Sequence, residues 1–179
     1  MSVASACATG NNAIGESTER IRRGAAEIMI CGGGESVMHP LSAAALSNMG
    51  AVSRRNDDPT RASRPFDADR DGFVISGGGG IVVLEELEHA LARGADIYAE
   101  VTGYAATSDG HDMVEPSCEG VERAMRLALS TLPEGRSVGY INAHGTSTPV
   151  GDVGEIEAVR RVFGEGSTPP VSSTKSMTG

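Results

Sequence analysis

Residues 72–94, G-F-V-I-S-G-G-G-G-I-V-V-L-E-E-L-E-H-A-L-A-R-G, pass from a glycine-interrupted apolar strand directly into a helical pattern that Gly94 closes. The same handover recurs along the chain. A helix is expected over 11–26, with Gly24 near its end, and E-I-M-I-C (27–31) reads as a short buried strand stopped by Gly32, Gly33 and Gly34. Helices at 41–49 and 86–93 follow. Beyond them a strand (97–104), a helix (120–131), a strand (138–143), a helix (152–163) and a strand (171–174) alternate. Alternation of this kind makes the chain α/β.

The core available to such a fold is unusual. Aromatics are 3% of 179 residues and tryptophan is absent, so Val, Ile, Leu, Met and Ala must pack around 24 glycines. Such a length supports a core of useful size. A net charge of -9 repels phosphate backbones and anionic lipid surfaces, which argues against nucleic-acid and membrane partners. No apolar run approaches the roughly 20 residues a spanning helix needs, and no leader is visible. Cys7, Cys31 and Cys118 are odd in number and form no C-x-x-C pair, against a disulfide framework or a thiolate metal site. The expectation is a soluble, cytoplasmic protein.

Between 53 and 70 lie five arginines, four aspartates and two prolines, an extended surface loop too long to be idle. Asp67, Asp69, Asp71 and Gly72 match the opening of a calcium loop, but its twelfth position is Gly78, where a bidentate Glu is required. No metal is expected. The glycines at 32–34 suggest a dinucleotide fingerprint, yet Val37 stands where its third glycine belongs. No cofactor is expected.

Three places carry chemistry. Ser2–Cys7 reads as the end of a strand entering a helix, where free backbone amides and the helix dipole stabilise a thiolate and can later hold an oxyanion. A lone cysteine reads more readily as a small buried hydrophobe. In Y-I-N-A-H-G-T-S-T-P-V-G-D-V-G-E a strand delivers His144 into a glycine-bearing turn beside the hydroxyls of Thr146 and Thr148. Strand ends of this kind host chemistry in α/β folds, and equally host packed histidines. Asp152 and Glu155 have capping-box spacing at the following helix. Lys175, in S-S-T-K-S-M-T-G, is the chain's single lysine, so its site demands a compact ammonium, or chance spared one. Both S-A-C-A-T-G and T-K-S-M-T-G end in Thr-Gly, as if one strand-to-helix corner occurred twice.

Taken together, S-A-C-A-T-G, R-P-F-D-A-D-R-D-G-F-V-I-S-G-G-G-G, N-A-H-G-T-S-T-P-V-G-D and S-S-T-K-S-M-T-G have the order and approximate spacing of the β-ketoacyl-[acyl-carrier-protein] synthases. The resemblance spans the whole chain. Gly77–Gly80 and the segment after it most resemble the type I elongating branch of bacterial fatty-acid synthesis, while polyketide ketosynthases usually differ in that glycine stretch.

The resemblance implies an incomplete thiolase-like fold: residues 1–95 end an N-terminal half beginning at the nucleophile, and 96–179 begin a C-terminal half. It implies decarboxylative Claisen condensation. Cys7 matches the nucleophile and His144 the histidine whose ring N–H holds the thioester oxygen as malonyl loses carbon dioxide. Thr146 and Thr148 match hydroxyls that bind pantetheine amides, Phe73 an aromatic near the nucleophile, and Lys175 the lysine that sets the charge balance, with Glu155 its acidic partner and Asp152 beside it. Implied partners are acyl- and malonyl-loaded acyl carrier protein and a second copy in a homodimer.

In the family T-K-S-M-T-G is followed by a second catalytic histidine, and this chain stops at Gly179, so an internal fragment, inactive alone, is expected. Competing readings are a polyketide-type ketosynthase, a thiolase acting on coenzyme A esters, against which H-G-T-S-T-P-V-G-D argues, and a non-catalytic scaffold member.

Overall fold

A computed structural model describes residues 1–112 and 117–179. In chain order its elements are α1 (Thr9–Arg22), β1 (Ile28–Ser36), α2 (Pro40–Asn48), β2 (Gly77–Glu85), α3 (Leu87–Ala92), α4 (Cys118–Leu129), β3 (Ile141–Asn142), α5 (Pro149–Phe163), β4 (Val171–Ser172) and α6 (Lys175–Thr178). They divide between two compact units, Met1–Ser36 with Gly77–Ala106, and Val37–Ser76 with Thr107–Gly179.

The first unit is a helix on a two-stranded ribbon. β1 and β2 pair antiparallel, Cys31 opposite Val82 and Gly33 opposite Gly80. Side chains of a strand alternate between faces, and here α1 covers one face, where Cys31 is buried, while Ile30 and Val83 stay exposed on the other. The apolar run 27–31, expected as a buried strand, is thus covered on one face. β2 hands over to α3 as expected, and the junction is pinned by Glu85, which accepts from Arg93 Nε (2.7 Å) and Nη2 (2.6 Å). Those bonds hold the Glu85 pKa down at about 2.

The strand expected at 97–104 does not form. Arg22 Nη2 donates to the Thr102 (2.9 Å) and Val101 (3.3 Å) carbonyls, supplying from α1 what a neighbouring strand would supply. Tyr104 then lays its ring on α1 at Gly15, where a β-carbon would lie 2.2 Å from ring atoms. Nor do residues 1–5 form a strand; the chain enters α1 through a single 3-10 turn, Ala6–Ala8.

In the second unit β3 and β4 form a short parallel pair, Ile141 opposite Val171, extended by Ala143 N donating to Ser172 O at 2.8 Å. Parallel strands need a long crossover, and α5 supplies it. Pro149 occupies the first turn of α5, where its missing N–H costs nothing. Ala158 and Val159 are the buried face of that helix, which packs on α4. Because α5 begins at Pro149 behind Thr148, Asp152 sits inside the first turn and neither it nor Glu155 forms a capping box. Both carboxylates are used elsewhere.

Candidate active site

Cys7 lies in the 3-10 turn at the mouth of α1 and is exposed. The turn is sharp enough to put Ala6 at φ 50, in the left-handed region that disfavours a β-carbon. Thr9 keeps it there: its Oγ1 accepts from Ser5 N (2.9 Å) and donates to Ala6 O (2.8 Å). Asn12 Nδ2 donates to Ser5 Oγ at 2.7 Å, and Tyr104 Oη donates to Asn12 Oδ1 at 3.0 Å. Neither Ser5 nor Ala8 caps the helical segment it precedes with its own side chain. The sulfur therefore stands at a helix start whose positive end has no side-chain cap from either residue.

His144 follows β3 in the second unit, and its backbone is gripped on both sides. Glu155 Oε1 accepts from His144 N (2.7 Å) and Oε2 from Gly145 N (2.8 Å), so one carboxylate spans two consecutive amides. Lys175 Nζ donates to His144 O at 2.7 Å, and Ser173 Oγ donates to Gly145 O at 2.9 Å. Lys175 and Glu155, expected as partners, meet on the backbone of His144 instead of on each other. Desolvation by surrounding groups, then the Lys175 ammonium, pull the imidazole pKa below its ordinary 6.5, while Glu155 and Asp152 oppose them. The residue keeps an exposed surface, so the desolvation is partial. The downward shift favours the neutral ring, which can donate one N–H.

Thr146 and Thr148 bring their hydroxyls within 3.1 Å of one another. Gly151 makes room for this pair, since a β-carbon there would lie 2.5 Å from Thr148 Oγ1. Asp152 is 2% exposed; its Oδ2 accepts from Phe66 N (2.7 Å) and lies 3.5 Å from Arg70 Nε. Phe73 is fixed by an exchange with the segment after α2, its N donating to Ala51 O (2.9 Å) and its O accepting from Ser53 N (3.0 Å). His144, Thr146, Thr148, Asp152, Glu155 and Lys175 thus form one cluster, with Phe73 one residue from Gly72, whose N donates to Ser147 O at 2.9 Å.

Sequence reasoning missed the part played by the charged loop. Arg64, Phe66 and Arg70 all touch the turn after His144, and Ser63 Oγ donates to Lys175 O. Its aspartates hold the loop itself: Asp67 pairs with Arg64 (3.0 Å), and Asp71 accepts from Ser53 Oγ (2.6 Å) and Arg54 N (2.9 Å). The only signal was the density of arginine and aspartate in R-P-F-D-A-D-R-D-G-F.

Residues 1–90 match the family model described as the β-ketoacyl synthase N-terminal domain, and residues 98–179 the model of its C-terminal domain. The chain belongs to the β-ketoacyl synthase family. Among curated members it is 55% identical over 179 residues to 3-oxoacyl-[acyl-carrier-protein] synthase 1 of Escherichia coli K12, covering 99% of this chain and 43% of that protein. It is 49% identical to 3-oxoacyl-[acyl-carrier-protein] synthase 2 of Vibrio cholerae, covering 100% of this chain and 44% of that one. The chain thus spans less than half the length of the family members it matches. A ketosynthase solved with its type II polyketide acyl-carrier protein superposes with a TM-score of 0.92 at 42% identity, over 97% of this chain and 44% of that one. A β-ketoacyl synthase of Burkholderia phymatum gives 0.88 at 43% identity, over 96% and 42%. The fold is accordingly a partial thiolase-like fold. Among the described residues no helix is long and apolar enough to cross a membrane.

Proposed function

We propose that the protein carries out decarboxylative Claisen condensation, joining an acyl chain held on Cys7 to a malonyl unit held on acyl carrier protein. In the first half-reaction the Cys7 thiolate attacks the acyl thioester carbon, the helix-start amides steady the tetrahedral oxyanion, and the carrier thiol leaves. In the second, the malonyl thioester loses carbon dioxide, and its electron pair becomes an enolate whose oxygen accepts from the His144 ring N–H. The enolate carbon attacks the acyl carbonyl on Cys7; the sulfur departs as thiolate, and a 3-ketoacyl thioester remains on the carrier. Thr146 and Thr148 bind the pantetheine amides, Phe73 borders the reacting groups, Lys175, Glu155 and Asp152 keep the His144 turn fixed, and the Lys175 ammonium favours the neutral ring.

The observation that carries this reading is the double grip on His144: amides held by Glu155, carbonyl by Lys175, and a neutral imidazole left to donate. The printed names of the two synthases, with 55% and 49% identity, support an acyl-carrier-protein substrate. They also favour fatty-acid elongation over polyketide synthesis, to whose ketosynthase the identity is 42%. We further propose a homodimer working in the cytoplasm. The test is to supply the full gene product with acyl- and malonyl-carrier protein and follow carbon dioxide and 3-ketoacyl product by mass spectrometry. Absence of both refutes the reading.

A further inference from the structure

We propose that Arg70, acting with Asp152 and Phe66, is a positioning residue that holds the 144–149 turn in the register required for decarboxylation. The role rests on the condensation proposed above and adds to it a latch from the charged loop.

Every nitrogen of the Arg70 guanidinium is engaged. Nε donates to Thr148 O (2.9 Å) and faces Asp152 Oδ2 (3.5 Å), Nη2 donates to Pro149 O (2.6 Å), and Nη1 donates to Asp67 O (2.7 Å). Two of these acceptors are consecutive carbonyls at the point where the turn becomes α5. The helix's own bond there, Asp152 N to Thr148 O, is long at 3.4 Å, so the fork from Arg70 anchors a loosely closed first turn. A planar fork can hold two adjacent carbonyls and a carboxylate at once; an ammonium cannot.

Asp152 passes the constraint on. Its Oδ2 accepts from Phe66 N at 2.7 Å, and Phe66 sits at φ 65, a conformation disfavoured for any residue with a β-carbon. That conformation lays the aromatic ring on Gly145, where a β-carbon would meet Phe66 Cζ at 3.0 Å and Cε2 at 3.1 Å. Gly145 is bonded to His144. Ser147 is a second contact: fully buried at φ 68, it accepts from Arg64 N at its Oγ (3.1 Å) and from Gly72 N at its carbonyl. The loop therefore touches the turn at 145, 147, 148 and 149, while Lys175 and Glu155 hold it at 144 and 145. Asp152 Oδ1 is buried with no hydrogen-bond partner. A buried ion pair with an unsatisfied oxygen is a poor means of gaining stability and a good means of specifying one geometry.

The test uses the full gene product carrying Arg70→Lys and, separately, Phe66→Gly. Glycine adopts the Phe66 backbone angle without strain, so that variant removes the ring while sparing the fold. Two rates are read: acylation of Cys7 from acyl-carrier protein by intact mass, and carbon dioxide release from malonyl-carrier protein. Both variants should acylate Cys7 within about twofold of the unmutated rate and release carbon dioxide about tenfold more slowly or worse, since a small misplacement of a reacting group has effects of this order. Carbon dioxide release at the unmutated rate overturns the proposal, and so does an equal fall in both rates, which marks a merely structural role. Should Arg70→Lys fail to fold, Phe66→Gly decides alone. Lack of release by the unmutated protein strikes the proposed condensation and this role together; normal release in all three proteins strikes this role only.

Discussion

The Cys7 corner and the His144 corner both force a residue with a β-carbon into the left-handed region, Ala6 at φ 50 and Ser147 at φ 68, yet the side chains that support the two corners differ in kind. Around Cys7 the supports are neutral: the hydroxyls of Thr9, Ser5 and Tyr104 and the amide of Asn12. Around His144 they are charged: Glu155, Lys175, Asp152 and Arg70. The bonds around the Cys7 turn involve no charged side chain. The His144 turn lies beside an ammonium, with carboxylates that accept from backbone amides. The comparison teaches that the first corner is built to be electrostatically quiet and the second to be electrostatically biased.

The largest expected effect separates the two corners by chemistry. In the full gene product, Cys7→Ala should abolish the acyl-protein and condensation together, by about 10³-fold or more, whereas His144→Ala should abolish carbon dioxide release and leave Cys7 acylation near normal. Mass spectrometry of the acylated protein distinguishes them, and loss of acylation in His144→Ala breaks the division of labour. Next, Glu155→Gln replaces two charge-assisted bonds with at most one acceptor and should cost about 2 kcal/mol in denaturant unfolding.

The bias on His144 is testable by titration. Its pKa in the folded protein lies below 6.5, so the unfolded chain binds the proton more readily; the ring's contribution to stability is complete above pH 6.5 and declines as the pH falls through the folded-state value. Lys175→Met should move the ring titration upward, read by NMR of the imidazole protons, and a downward movement contradicts the assigned cause. The smallest effect belongs to the quiet corner. Tyr104→Phe removes one neutral hydrogen bond and should cost about 1 kcal/mol in denaturant unfolding.

Much of the fold was readable because its signals are local. The ends of its elements were less so: α5 starts at Pro149, ahead of the 152 at which the pattern suggested a helix, and Ser117, accepting from Gly120 N, starts α4 two residues ahead of the glycine from which the pattern suggested one. The sequence 97–104 has strand-like composition, but two of its carbonyls, those of Val101 and Thr102, are claimed by Arg22 from far upstream, a partnership no window of neighbouring residues contains. The site shows the same division. His144, Thr146, Thr148 and Lys175 stand in contiguous motifs and cluster in space, whereas Phe66 and Arg70 reach Asp152 and Thr148 across 86 and 78 positions of sequence. Their loop resembled solvated charge because opposite signs alternate in it, and only tertiary packing reveals which arginine is spoken for. Asp152 and Glu155 show that correct residues can be singled out for a wrong reason: helix-capping spacing drew attention to two carboxylates that serve other segments.

Where α1 crosses the ribbon, a β-carbon at Gly33 would sit 3.4 Å from Gly10 Cα, so main chain there rests almost on main chain. Anyone redesigning the depth of α1 against the ribbon finds no side chain to shorten at this crossing. At 3.4 Å an added methyl makes ordinary contact, so Gly33→Ala fills the crossing where α1 lies, while any larger side chain there acts as a one-way shim that lifts the helix at Gly10.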